Sequence, residues 1–155
     1  MTAPDPAAGL GTLAERLGCR VVGVGVDLCD IRRIGRSVER FGDRFLARVY
    51  TPEECAACER RPGVRLNAYA KRWAAKEACA KALGTGFAKG VAQRDIEVET
   101  LPSGAPVLRL YGGAAARLSA LTPPETEARL HLSLTDEPPY AQAFVIIEAA
   151  ATHKP

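Results

Sequence analysis

The stretch from Asn67 to Leu83 (NAYAKRWAAKEACAKAL) constrains this chain more than any other. It holds no Gly or Pro, is dominated by Ala, and runs into Gly84. Ala has the highest helix propensity and Gly is the common residue just past a helix end, so the segment predicts one long helix stopped at Gly84. With Glu77 at zero on the helical wheel, Leu66, Tyr69, Ala70, Trp73, Ala80 and Lys81 lie within roughly 80° of it. That is the large-apolar side, the side expected to pack, and Glu77 and Lys81 interrupt it. Two readings are open. They form an ion pair four residues apart, in the favoured Glu-before-Lys order. Or the carboxylate serves metal chemistry, since a desolvated ion pair often fails to offset its own desolvation.

Upstream, Val21–Leu28 (VVGVGVDL) alternates. Val22, Val24, Val26 and Leu28 point one way and Gly23, Gly25 and Asp27 the other, which predicts a strand with one buried face. On the glycine side, absent side chains leave room for something to approach the backbone. Asp27 ends that side. It either caps the following helix or, because Asp30 competes for the cap, is left free. The G-x-G is not a dinucleotide fingerprint, because Leu28 stands where the third glycine belongs.

From Asp30 the period becomes 3.6. Ile31, Ile34, Val38 and Phe41 share one side of a helix, and Arg32, Arg33, Arg36 and Arg40 fall within an arc of roughly 100° opposite, up to Gly42. Thr51-Pro52-Glu53-Glu54 opens another helix with a cap, a proline at the first position and acids in the first turn; Pro62-Gly63 ends it. Strands follow at 95–101 and 106–111 around a Ser103-Gly104 turn, then a short helix at 114–121, then strands at 130–135 and 140–148. The order β-α-α-α-β-β-α-β-β predicts an α+β fold, a mainly antiparallel sheet packed against the long central helix. Residues 1–20, rich in Ala, Gly and Pro, read as a flexible N-terminal extension and 21–150 as one domain.

Composition excludes several classes. Hydrophobic residues at 47% and charged residues at 25% are ordinary globular usage, not a mostly disordered chain. The apolar runs are too short to span a membrane, and Met1 to Gly9 lacks the basic cluster of a secretory signal. A net charge of +3 is too weak to argue for nucleic acid. Cys19, Cys29, Cys55, Cys58 and Cys79 are odd in number, which fits reduced thiols in a cytoplasm. Cys55-x-x-Cys58 has no second pair, and His131 and His153 are not at finger spacing from it, so it reads as two small apolar residues one helical turn apart.

Asp27 and Glu77 meet if the central helix packs across the first strand's end. Two carboxylates with a nearby lysine suit Mg²⁺ plus phosphate: the ion takes one or two carboxylates and completes its shell with water and phosphate oxygens. Lys81 supplies a point charge for a phosphate. Gly84-Thr85-Gly86 either adds backbone amides or simply stops the helix. The arginine stripe is either a solvated face or a docking face for an acidic partner; no aromatic interleaves with it as single-stranded nucleic acid would require. His131 leads the strand HLSLT, where a lone histidine is more often structural than catalytic.

GVGVDLCDI (23–31), FLARVYTPEE (45–54), AKRWAAKEACAKALGTG (70–86), LHLSLTD (130–136) and YAQAFVIIE (140–148) together resemble the holo-acyl-carrier-protein synthases, the short bacterial type of 4′-phosphopantetheinyl transferase. The resemblance spans about residues 21–148. It implies α+β homotrimers with active sites between neighbouring subunits. It implies Mg²⁺-dependent transfer of 4′-phosphopantetheine from coenzyme A to a serine of an acyl carrier protein, releasing adenosine 3′,5′-bisphosphate. It assigns the metal to Asp27 and Glu77 and the CoA phosphates to Lys81, so that Glu77 and Lys81 carry the catalysis. Arg72 and His131 are expected near CoA, with Gly84 beside them. Arg32, Arg36 and Arg40 are expected to grip the acidic carrier. Trp73 departs from the family's usual Phe, and Thr135-Asp136 replaces a frequent Ser-His. Two rival classes remain: a non-catalytic binder docking through its arginine helix, and another CoA enzyme such as an acyl-thioester hydrolase.

Overall fold

The computed structural model describes residues 18–152. The residues of the expected extension up to residue 17 lie outside the described part. The alternating segment becomes strand β1 (Cys19–Asp30), which pairs antiparallel with β5 (Tyr140–Ala151); β5 pairs antiparallel with β4 (Thr126–Glu137), giving the order β1-β5-β4. A second sheet is the antiparallel hairpin β2 (Ile96–Thr100) and β3 (Pro106–Leu110). The helices are α1 (Ile31–Phe41), α2 (Asp43–Val49), α3 (Pro52–Glu59), the long α4 (Arg65–Ala82) and α5 (Gly112–Leu121). The fold is α+β, as the pattern predicts; α2 is an addition to the expected order.

The central helix α4 lies on β1 and β5 at backbone-to-backbone distance. A Cβ built on Gly25 would run into the carbonyl of Ala78, and one on Gly23 into the carbonyl of Ala82. Facing them on the helix are Ala74, Ala75, Ala78 and Ala82, all buried. The glycines of β1 therefore make room for a helix rather than a ligand. This reverses the expected orientation of the strand. The glycine side is the buried one, whereas Val24, Val26 and Leu28 are 53%, 46% and 61% exposed on the outer face of the sheet. Side-chain size decides here, because no valine fits under a helix this close.

The start of α3 shows how a charge is buried. The Thr51 hydroxyl accepts from the Glu54 N–H at 3.2 Å, and the Thr51 N–H donates to Glu54 Oε2 at 2.9 Å. The same carboxylate accepts from the Val98 N–H at 2.9 Å and from Lys76 Nζ at 2.7 Å. Lys76 also donates to the carbonyls of Gln93 and Ile96. Lys76 and Glu54 are each 1% exposed. A buried pair is tolerable when its remaining donors and acceptors are all met, and this one ties α3, α4 and β2 together.

Candidate active site

Packing α4 on β1 carries Glu77 and Lys81 to the strand's C-terminal end. Asp30, not Asp27, caps α1, accepting from the Arg32 N–H at 2.9 Å. That leaves Asp27 free for Lys81, whose Nζ donates to Asp27 Oδ1 at 2.9 Å and to the Val26 carbonyl at 2.9 Å. The expected Glu77–Lys81 pair is thus not the one formed; the lysine crosses to the strand. Glu77 is partly buried on the same face of the site. Burial pushes its carboxyl above the ordinary range, the charge of Asp27 pushes it further, and Lys81 and Arg33 pull it back. Asp27, Glu77 and Lys81 therefore share one electrostatic neighbourhood where α4 packs across β1.

Arg33 also belongs to this neighbourhood, although its place on the basic stripe, solvated or docking, does not point there. Its guanidinium sits 5.4 Å over the Trp73 ring, which stacks on Phe45 at 6.0 Å. A signal was available: Arg33 lies roughly 80° from Phe41 on the wheel of α1, at the stripe's border with the apolar side. Arg32 is tied back to the Asp30 carboxylate at 2.8 Å, so one member of the stripe has an acid partner after all. Arg36 and Arg40 are exposed, with Arg40 5.0 Å over Phe41.

Other expected residues lie elsewhere in the chain. Arg72 precedes Lys81 by nine residues. On a helix that is about 13.5 Å along the axis and the opposite side of the cylinder. Arg72 is 8% exposed, donates to the Ala68 carbonyl at 3.3 Å, and has no partner for its buried Nε. It lines a cavity of about 1180 Å³ together with Lys71, Arg60, Arg61 and Arg109, beside the β2–β3 hairpin. His131 stands on the outer face of β4, its Nε2 2.7 Å from Glu148 Oε2. The Gly84 N–H is spent on the Lys81 carbonyl at 2.9 Å, with φ +75°, the geometry of a helix stop. Asp136 faces α4, held by Lys71 Nζ at 2.7 Å and the Asn67 amide at 2.9 Å, which keep its carboxyl below the usual range.

The donor set tells what the site can hold. Among the described residues no three Cys, His, Asp or Glu side chains gather to bind a metal. Two carboxylates fit an ion that keeps part of its shell for water and phosphate, which is the habit of Mg²⁺ rather than of structural zinc. Cys55 is half-buried, and burial pushes the Cys58 thiol up to about 12, so that pair behaves as small apolar residues.

The model of the 4′-phosphopantetheinyl transferase superfamily matches residues 23–143. A holo-(acyl-carrier-protein) synthase of Methylobacterium sp. (strain 4-46) is 68% identical over 129 residues, covering 83% of this chain and 95% of the relative. Among solved structures, the synthase of Neisseria meningitidis superimposes with a TM-score of 0.72 at 34% identity, covering 83% of this chain and 98% of that one. The Helicobacter pylori synthase in complex with coenzyme A does so with a TM-score of 0.68 at 29% identity, covering 80% and 98%. The chain belongs to a class of group-transfer enzyme, the 4′-phosphopantetheinyl transferase superfamily. Within that superfamily its relatives are the holo-(acyl-carrier-protein) synthases.

Proposed function

We propose that this chain moves 4′-phosphopantetheine from coenzyme A to a serine hydroxyl of an apo acyl carrier protein, with Mg²⁺ held by Asp27 and Glu77. The observation that carries the reading is the cluster itself: Lys81 Nζ at 2.9 Å from Asp27, with Glu77 close enough to feel that charge. The serine oxygen attacks the β-phosphorus of the CoA pyrophosphate as its proton passes to water, the bond to the bridging oxygen breaks, and adenosine 3′,5′-bisphosphate leaves. Such a reaction asks a protein for alignment and charge neutralisation more than for covalent chemistry. When bound, Mg²⁺ neutralises pyrophosphate oxygens and the developing charge of the leaving group. Lys81, half exposed on a long arm, adds a positive charge to the same phosphates.

The assembly is a homotrimer whose active sites lie between subunits. Arg72 faces away from Lys81 on α4 and His131 stands on the outer face of β4, so a neighbour's copies supply them to the CoA held by Lys81. Val24, Val26, Leu28 and Phe144 form a continuous exposed apolar face on the outer side of the β1-β5-β4 sheet, the kind of patch that marks an interface. Arg72 lines a cavity edged by four further cations and by Glu53, Glu97 and Glu99, and its buried Nε, which has no partner, leaves a donor for a phosphate of the neighbour's CoA. Arg32, Arg36 and Arg40 grip the acidic carrier. Five free cysteines among the described residues fit a reducing cytoplasm.

One experiment tests the activity. Mass spectrometry of an apo carrier incubated with CoA, Mg²⁺ and this protein is expected to show the carrier gaining phosphopantetheine. An unmodified carrier rejects the reading, and release of free CoA from acyl-CoA would point to a hydrolase instead. Sedimentation equilibrium is expected to give three times the chain mass. For docking, Arg36→Glu is expected to raise the carrier's KM about tenfold or more while leaving that of CoA within about twofold, since reversing an exposed charge acts on charged encounter. Equal effects on both substrates remove the docking role.

A further inference from the structure

Lys81 and a divalent cation compete for one carboxylate. The ammonium is anchored at two points, Asp27 Oδ1 and the Val26 carbonyl, each at 2.9 Å. Asp27 is 17% exposed and Lys81 51%, so the carboxylate faces a mouth that the lysine partly closes. A carboxylate oxygen bound to Mg²⁺ lies about 2.1 Å from the ion. Asp27 Oδ2 takes no bond from Lys81, but an ion held there still faces the ammonium across one carboxylate, so the two cations repel and compete for the same negative charge.

Resting on the reading that Asp27 and Glu77 hold the metal, we propose that Lys81 is the built-in counter-cation of Asp27: the metal takes over the carboxylate, and the released ammonium swings to the pyrophosphate of CoA. The lysine's exposure and flexible four-carbon arm permit the swing, because no packing fixes its far end beyond the two hydrogen bonds. The exchange couples the two ligands. Mg²⁺ arriving alone strips Lys81 of its carboxylate partner and leaves it only the Val26 carbonyl. With CoA present the phosphate becomes the new partner, so Mg²⁺ binds more tightly. By linkage Mg²⁺ improves CoA binding by the same factor.

The test is a titration, with no turnover involved. Mg²⁺ is titrated into the whole protein by isothermal calorimetry, with and without CoA, for the parent, Lys81→Met, Lys81→Gln and Arg33→Gln. In the absence of CoA, both Lys81 variants are expected to bind Mg²⁺ threefold to tenfold more tightly than the parent. The ratio of Mg²⁺ affinities with and without CoA is expected to shrink by a similar factor. Arg33→Gln removes one positive charge from the same neighbourhood without touching Asp27, and is expected to gain less than twofold. Lys81 variants that bind Mg²⁺ no better than the parent overturn the exchange, as does an equal gain in Arg33→Gln, which would reduce it to a general field. If the parent itself takes no Mg²⁺ even with CoA, the metal reading fails and the exchange with it. If the parent binds both normally and only the Lys81 gain is missing, the exchange alone fails. Unchanged circular dichroism in the Lys81 variants is expected, since the side chain is exposed.

Discussion

Glu77→Gln is expected to leave the fold standing and to remove phosphopantetheine transfer. The amide keeps the shape of the carboxyl and loses the charge, so the expected fall in turnover is at least a hundredfold, the scale on which deleting one charge-stabilising group acts in acyl or phosphoryl transfer. The stability argument runs the other way. Burial and Asp27 raise the folded-state pKa of Glu77 above its ordinary value. Between those two values the folded chain holds a proton that the unfolded chain has lost, so stability falls as pH rises through that window. At neutral pH the ionised side chain therefore works against folding, and Gln removes that penalty. The melting temperature of Glu77→Gln at neutral pH is expected to equal or exceed that of the parent. Turnover within about threefold of the parent at saturating Mg²⁺ and CoA eliminates Glu77 from the chemistry; a melting temperature well below the parent's means the loss reports the fold instead.

Asp27, Glu77 and Lys81 were visible in the sequence because each breaks a local pattern: a charge on the tight side of a strand, or two on the large-apolar side of a helix. What periodicity could not give was the pairing. Lys81 reaches Asp27 rather than Glu77 because α4 crosses β1 there, and a crossing is a property of two elements together. The contact of Arg33 with Trp73 was hidden for the same reason, and so was the burial of Lys76, whose partner Glu54 stands twenty-two residues away on α3. Arg72 entered through the family resemblance alone, and His131, singled out at the head of its strand, took a CoA role only from that resemblance; Nε2 of His131 is 2.7 Å from Glu148 Oε2, and Arg72 donates to the Ala68 carbonyl.

Most elements followed from their periods and breakers, and Thr51 and Pro52 open α3 where their chemistry says a helix begins. The helix α2 was missed because its seven residues complete too few turns for a 3.6 period to show. The last two strands, expected at 130–135 and 140–148, run longer, through residues such as Ala149 and Ala150 whose weak strand preference is overruled by pairing with β1 and β4. The orientation of β1 was inverted because hydrophobicity argues for valines inside, whereas the closeness of the helix admits only glycine.

That inversion makes Gly25 the position where one added carbon does the most damage. At Gly25 a Cβ would lie 2.8 Å from the Ala78 carbonyl carbon and 2.9 Å from the Ala82 nitrogen, and closer still to the Ala78 oxygen. All three are backbone atoms of α4, so no rotamer change relieves the clash. The helix has to lift from the sheet, opening the contacts of Ala74, Ala78 and Ala82 with β1 and β5 and pulling Lys81 away from Asp27. Overpacking a core commonly costs about 1–3 kcal/mol when side chains can shift, and a clash with a rigid helix backbone exceeds that. Against a total stability of about 5–15 kcal/mol, Gly25→Ala is expected to lose about 4 kcal/mol and Gly25→Val to yield no folded protein. Gly63 supplies the control: nothing lies within 4 Å of a Cβ there, and Gly63→Ala is expected to change stability by less than about 1 kcal/mol. Urea unfolding of the three variants reads the difference. Gly25→Ala unfolding at the same urea concentration as Gly63→Ala contradicts the close approach of α4 to β1, and with it the geometry that sets Lys81 on Asp27.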